Sequence, residues 1–205
     1  MIGNIWSPNV LQCRWKYLRE SSTRYFDADR NTSLAEYLEY IFNGCDFVYD
    51  KAIPKDVITS RDPELDHRKF RPDARCEELN LIVEFDGTPH YQDANIILAD
   101  KMKDEYLAKA GYHVVRIPYW IQLSTSAIYA LFEPVANYIT CPRDVDVCTL
   151  PYSFFNPDTK DPGLSISVGS MCELGRERFV QELQRLPDEL QFQVYEDIMT
   201  CCIYM

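Results

Sequence analysis

The run Leu81–Asp86, LIVEFD, is aliphatic and aromatic but interrupted by acids, which is the pattern of a core strand with one polar side. Side chains along a strand alternate between faces. Leu81, Val83 and Phe85 therefore share one face, and Ile82, Glu84 and Asp86 share the other. Arg71, Asp73 and Arg75 lie on one face of a second short segment directly after Pro72. The CEELN between the two segments is short enough to join antiparallel neighbours, and their pairing carries Asp73 towards Glu84. His113–Tyr119 reads as a further buried strand ending in Pro118, and CDFVYDKAI as an earlier one.

Helical spacing governs the stretches between. Thr32 or Ser33 caps a helix running to about Asn43, with Leu34, Leu38, Ile41 and Phe42 as its apolar stripe and Gly44 as its stop. A second helix begins near Asp93 or Asn95 and stops at Gly111. Its expected buried stripe is Leu98, Met102, Tyr106 and Leu107, with Asp100, Lys101, Lys103 and Asp104 outward. Ser124–Ile139 reads as a third helix. Residues 141–170 are rich in proline and lack long apolar patterns, as in a linker or strap. Ser170 and Glu173 then have the spacing of a capping box before Leu174, Phe179, Leu183 and Leu186. Pro187 interrupts this helix, and a last one carries Leu190, Val194 and Ile198.

These elements predict an α/β protein with a central mixed sheet. Its strands fall near 69–76, 80–86 and 113–118, and helices near 33–43 and 95–110 flank it. Residues 1–32 form an N-terminal arm, 33–140 the main domain, 141–170 the strap and 171–205 a helical appendage outside the catalytic centre. In the arm, Trp6 and Trp15 lie among Arg14, Lys16, Arg19 and Arg24, which suits either core cover or a nucleic-acid contact.

Charge and cysteine content change this picture in two places. A net charge of −11 works against general affinity for nucleic acid, because phosphate contacts supply most of that affinity. The positive residues are nevertheless clustered. His67, Arg68, Lys69, Arg71 and Arg75 surround Asp73, and Lys101, Lys103, Lys109 and Arg116 follow downstream. Arg68, Lys69, Arg71 and Arg75 are the candidate nucleic-acid contacts. The eight cysteines are scattered, with no CxxC pair and no zinc-like spacing, so they read as free thiols in a reducing compartment. With no secretory h-region and no long apolar run, an intracellular protein without a membrane span is expected. The C-terminal helices are candidates for contact with a second copy or a protein partner.

The acids carry the candidate chemistry. Carboxylates crowded at a strand end repel one another unless a divalent cation lies between them, and oxygen donors of this kind suit Mg²⁺ or Mn²⁺. Pro72-Asp73 followed by Glu84-Phe85-Asp86 resembles the PD-(D/E)xK nuclease superfamily. The wider pattern is similar to the very short patch repair endonucleases and related homing and restriction-like nucleases. It comprises Glu36 on an upstream helix, Asp73, the Glu84–Tyr91 segment, the helix from about Asn95, and Gly111–Ile117. The resemblance covers roughly residues 33–120. It implies a restriction-endonuclease-like sheet, with Asp73 and Glu84 holding Mg²⁺ or Mn²⁺ and Glu36 in an outer metal-shell or catalytic role. Glu39 is the fallback for Glu36, whose distance from Ser33 also suits a capping box. Asp86 occupies the position where most of the superfamily has a lysine. The resemblance then implies that His90 manages protons and that Asp100 is a further acid, with Lys103 the nearby substitute for the missing lysine. The repair enzymes also hold a structural zinc, but GTPHYQD has no cysteine, so no zinc is expected here. The function so implied is Mg²⁺-dependent hydrolysis of DNA phosphodiesters. The alternatives are an RNA-directed nuclease or a silent nuclease fold used for nucleic-acid binding or assembly.

Overall fold

A computed structural model of the chain describes residues 30–121, 125–141, 168–192 and 194–195. The expectations for the N-terminal arm before Arg30, for most of the proline-rich strap and for Ile198 lie outside these residues.

Helix α1 spans Arg30–Ile41 and buries Leu34, Leu38 and Ile41, as its periodicity requires. Thr32 and Ser33 lie within its first turn and do not cap it. Gly44, at φ +88°, closes its end in a conformation that only glycine adopts without cost. The two-residue strand β1, Val48–Tyr49, and helix α2, Lys55–Arg61, follow. Strand β2, Ala74–Cys76, follows directly on Asp73, and β3, Leu81–Asp86, carries Glu84 and Asp86. Next come the single turn α3, Pro89–Gln92, the long helix α4, Ala94–Lys109, and strand β4, His113–Pro118. The sheet has the order β1-β2-β3-β4. β1, β2 and β3 are antiparallel in turn, and β3 runs parallel to β4. An α/β architecture with a mixed sheet and flanking helices is thus present.

The two faces of the sheet are covered differently. Leu81, Val83, Val115 and Ile117 point into the larger core, formed with α1, with α5 at Thr125–Leu131, and with α6 at Glu173–Gln184. Ile82 and Val114 point into a smaller core with Leu107 of α4, Ile58 of α2, Leu65 and Phe70. Along this second face β3 turns from apolar to acidic, from Ile82 to Glu84 and Asp86. Helix α4 follows the same change from apolar to charged, with Leu107 at the apolar end and Lys103 paired to Glu84. Its sheet-facing stripe is Leu107, Asp104, Lys103 and Asp100, a spacing of three and four. The expected stripe is therefore reversed in part: Leu98 and Met102 are 51% and 48% exposed. Two ionised strand side chains need charged partners, and this outweighs the burial of two apolar residues.

The remaining differences have local causes. Pro134 lacks the amide needed to continue the expected 124–139 helix. α5 accordingly stops at Leu131, and a 3₁₀ segment follows at Glu133–Tyr138. The expected capping box at Ser170 is displaced by two residues, because Cys172 caps α6 and its Sγ accepts from Gly175 N. α6 does not stand apart from the domain. Phe179 meets Trp120 edge to face at 4.9 Å, and Phe179, Leu183 and Leu186 belong to the same core as β3 and β4.

Candidate functional site

The site lies at the carboxyl ends of the parallel pair β3 and β4. The β2–β3 register, Ala74 opposite Val83, leaves Asp73 beside Glu84 just beyond the paired residues. Asp73 Oδ2 accepts from Phe85 N at 2.8 Å, so its carboxylate does the work of a ladder carbonyl. Glu84 is buried, and Lys103 Nζ lies 2.6 Å from its Oε1. Lys103 Nζ also reaches Arg71 O at 3.5 Å. The structure thus brings Asp73, Glu84 and Lys103 together. Burial, chiefly, raises the Glu84 pKa to about 7 against the opposing charge of Lys103, with Asp73 adding to the rise.

Asp86, His90 and Asp100 form a second group, with one ligand atom from each lying within 4.8 Å of the others. Asp86 is fully buried and faces two guanidiniums. Arg116 Nη1 lies at 2.7 Å from its Oδ1, and Arg178 Nη2 contacts Oδ2. Arg178 also donates to Asp100 at 3.0 Å and to Glu182 at 2.7 Å. Arg116 grips Asp104 through both Nε and Nη2 at 2.8 Å. His90 Nδ1 points inward, 2.6 Å from Asp100 and 3.3 Å from Asp86. Burial opposes a charge on His90, but Asp100 and Asp86 overcome it and raise its pKa. Asp100 is lowered despite its burial, by His90, Arg116 and Arg178. Burial, the largest influence, raises Asp86 against the pull of Arg116, Arg178 and His90.

These contacts decide which acids fit a divalent ion. A 2+ ion among Asp86, His90 and Asp100 would meet two guanidiniums whose charge those groups already balance, so the group does not fit one. Asp73 and Glu84 fit in number and kind, since Mg²⁺ commonly uses one or two carboxylates and completes its shell from water and phosphate. The crowding that seemed to require a cation is nevertheless relieved by the chain itself, through Phe85 N and Lys103.

The other expected site residues are divided. Glu36 lies on α1, and its side chain is outside the described residues. Glu39 is exposed on that helix. Asp86 has no face open to a substrate, and His90 is turned into the ion network and not towards Glu84. Arg75 is buried and paired with Glu77 at 3.0 Å, so it does not line the surface. The sequence reading missed Arg178, Tyr91 and Glu182. Their signal was the i,i+4 pair Arg178 and Glu182 on a helix whose apolar stripe passes between them.

Arg68, Lys69 and Arg71 border a groove of about 300 Å³, whose other walls are Phe70, Ala99, Met102, Lys103 and Tyr106. Their charges are not equally free. Arg71 is bound to Asp50 at 2.7 Å and Lys103 to Glu84. Arg68 lies 3.7 Å over the Tyr106 ring and donates to its hydroxyl at 2.6 Å. Lys69 is exposed. Neither Arg68 nor Lys69 has an acidic partner among the described residues.

The family model of the RAP domain, an RNA-binding domain, matches residues 83–126. The RAP match runs from β3 to the start of α5 and includes Glu84, Asp86, His90, Asp100, Lys103 and Arg116. Asp73, the 68–71 segment and Arg178 fall outside it. No curated protein and no solved structure matches the chain.

The raised Glu84 pKa has a measurable consequence. The folded protein holds this proton more tightly than the unfolded chain does. Stability is therefore lost as pH rises from about 4.5 to about 7, and it stays lost above. Glu84→Gln should stabilise the protein by about 2 kcal/mol at pH 8 and change little at pH 5. Urea unfolding at the two pH values checks this, and an equal loss at both would contradict it.

Proposed function

We propose that this protein binds nucleic acid, and RNA in particular, in the groove between residues 68–71 and the outer face of α4. The carrying observation is that Arg68 and Lys69 have no acidic partner among the described residues and stand beside an aromatic and apolar wall in a chain of net charge −11. Elsewhere in the site, positive charge is consumed internally, by Asp86, Asp100, Asp104 and Glu182. A free positive pair in an otherwise acidic protein suits phosphate. The RAP match, which includes the α4 wall of the groove, supports RNA as the ligand. Among the described residues no helix is long and apolar enough to cross a membrane.

RNA affinity measured against salt tests this reading. Lys69→Gln should weaken binding several-fold and make the slope of log K against log salt shallower by about one. An unchanged slope would remove Lys69 from the interface, and no RNA binding by the wild type would remove the reading.

Metal-dependent phosphodiester hydrolysis is a second reading, favoured by one observation: Lys103 both lines the groove and pairs with Glu84. A phosphate held in the groove would lie next to Glu84 and Asp73, the residues that would hold Mg²⁺ or Mn²⁺. When bound, such an ion would polarise the phosphate and lower the pKa of a bound water. Asp73 is already oriented by Phe85 N, and Lys103 offers a second positive charge to the phosphate. The succession of α1, Asp73 directly before β2, then β3, α4 and parallel β4 supports a restriction-endonuclease-like arrangement of this kind. Incubation with Mn²⁺ and plasmid, single-stranded DNA or RNA tests the reading, and intact substrates throughout would reject it.

A further inference from the structure

We infer that the groove takes an unpaired nucleotide of single-stranded RNA, with its base against Met102 and Ala99 and its phosphate against Arg68 and Lys69. This rests on the RNA-binding reading and narrows its ligand. The groove encloses about 300 Å³. That is the lower end of ligand-pocket volumes and suits one nucleotide, not the breadth of a duplex.

The mixture of wall residues makes the same distinction. An A-form duplex offers a protein its phosphates and 2′-hydroxyls, while its base faces stay stacked out of reach. Apolar side chains at such a contact gain nothing. Here Met102, 48% exposed, stands between cations, and Leu98, 51% exposed, continues the apolar surface one turn along α4. The sheet-facing stripe of α4 is committed to Glu84, Asp86 and Arg116, so these two residues are turned to solvent by the site itself. Thioether and aliphatic surface flanked by cations suits an unstacked base, and methionine adapts to any of the four. The interaction should therefore show little base preference. Arg68 is held by Tyr106 and has no carboxylate ion-pair partner among the described residues, which keeps its charge available at the edge where a phosphate would lie.

Fluorescence anisotropy with the full chain at fixed salt decides this. The probes are a single strand of roughly ten nucleotides, the same sequence annealed to its complement, and an abasic ribose-phosphate strand of equal length. The single strand is expected to bind at least about tenfold more tightly than either competitor. Met102→Ser should weaken the single strand by about fivefold and leave its salt slope unchanged. Lys69→Gln should lower that slope. The exposure of Met102 keeps folding out of the comparison. Equal affinity for single strand and duplex, or for single strand and abasic strand, overturns this inference and leaves RNA binding standing. Failure to bind any of the three overturns both.

Discussion

Arg178→Met should lower the melting temperature by about 10 °C at neutral pH, with a loss of about 3 kcal/mol. Methionine preserves much of the aliphatic stem beside the Tyr91 ring, over which the guanidinium lies at 4.9 Å. What it removes is the charge shared by Asp86, Asp100 and Glu182. Breaking one side of a buried ion pair costs roughly 3–5 kcal/mol, because the partner stays buried and uncompensated. Arg116 remains on Asp86, which places the effect at the low end. The pH dependence has a definite sign. Burial raises the Asp86 pKa and Arg178 is among the groups that hold it down, so the variant's Asp86 takes up a proton more readily. The deficit should shrink on acidification and grow as pH rises. Arg176→Met is the control on the same helix, since the exposed Arg176 side chain donates to Met171 O and has no acidic partner among the described residues. Melting of Arg178→Met within about 2 °C of wild type at pH 8, or a larger deficit at pH 5, would contradict the account.

This network also determines where function can reside. Asp86, His90 and Asp100 read as catalytic candidates in the sequence, but Arg116 from β4 and Arg178 from α6 neutralise the two acids from two sides. The groove edge, where Lys103 stands between Glu84 and Arg71 O, is left as the part of the site open to a phosphate. α6 is therefore a structural member of the site, although it lies far from β3 in the chain.

Much of the framework was legible because it depends on local pattern. The period-two run at 81–86, the turn at CEELN and the run at 113–118 each predict a strand, and β2, β3 and β4 form there. The approach of Asp73 to Glu84 follows from the antiparallel register alone. The α4 stripe was misread for a reason that sequence pattern does contain. Ile82, Glu84 and Asp86 share a face, so the helix covering them offers Leu107 to Ile82 and Lys103 to Glu84, while its Asp100 shares Arg116 and Arg178 with Asp86. Hydrophobicity taken helix by helix selects Leu98 and Met102 instead. Arg178 was not legible in this way, because nothing in the spacing from Asp86 indicates that α6 returns to the end of β3.

Gly175→Ala should cost roughly 3 kcal/mol, although alanine is the better helix former by about 1 kcal/mol. The reason is the closeness of two backbones. A Cβ at Gly175 would lie 1.8 Å from Tyr91 O and 2.6 Å from its carbonyl carbon. Backbone cannot swing aside as a flexible side chain can, so α6 must lift. Lifting it weakens the bond from Cys172 N to Tyr91 O at 3.1 Å and that from Tyr91 OH to Glu182 at 2.6 Å. It also draws Arg178 away from Asp86. Gly44→Ala provides the comparison. Gly44 has φ +88° and nothing within 4 Å of an added Cβ, so alanine there meets backbone strain of about 1 kcal/mol and no collision. Thermal melts of the two variants should differ by about 5 °C, with Gly175→Ala the lower. The added pH dependence expected of Arg178→Met should also appear in Gly175→Ala and be absent from Gly44→Ala. If Gly175→Ala instead melts with or above Gly44→Ala, then α6 is not held against α3 by this contact, and its hold on the ion network must come from the Phe179 and Leu183 side of the helix.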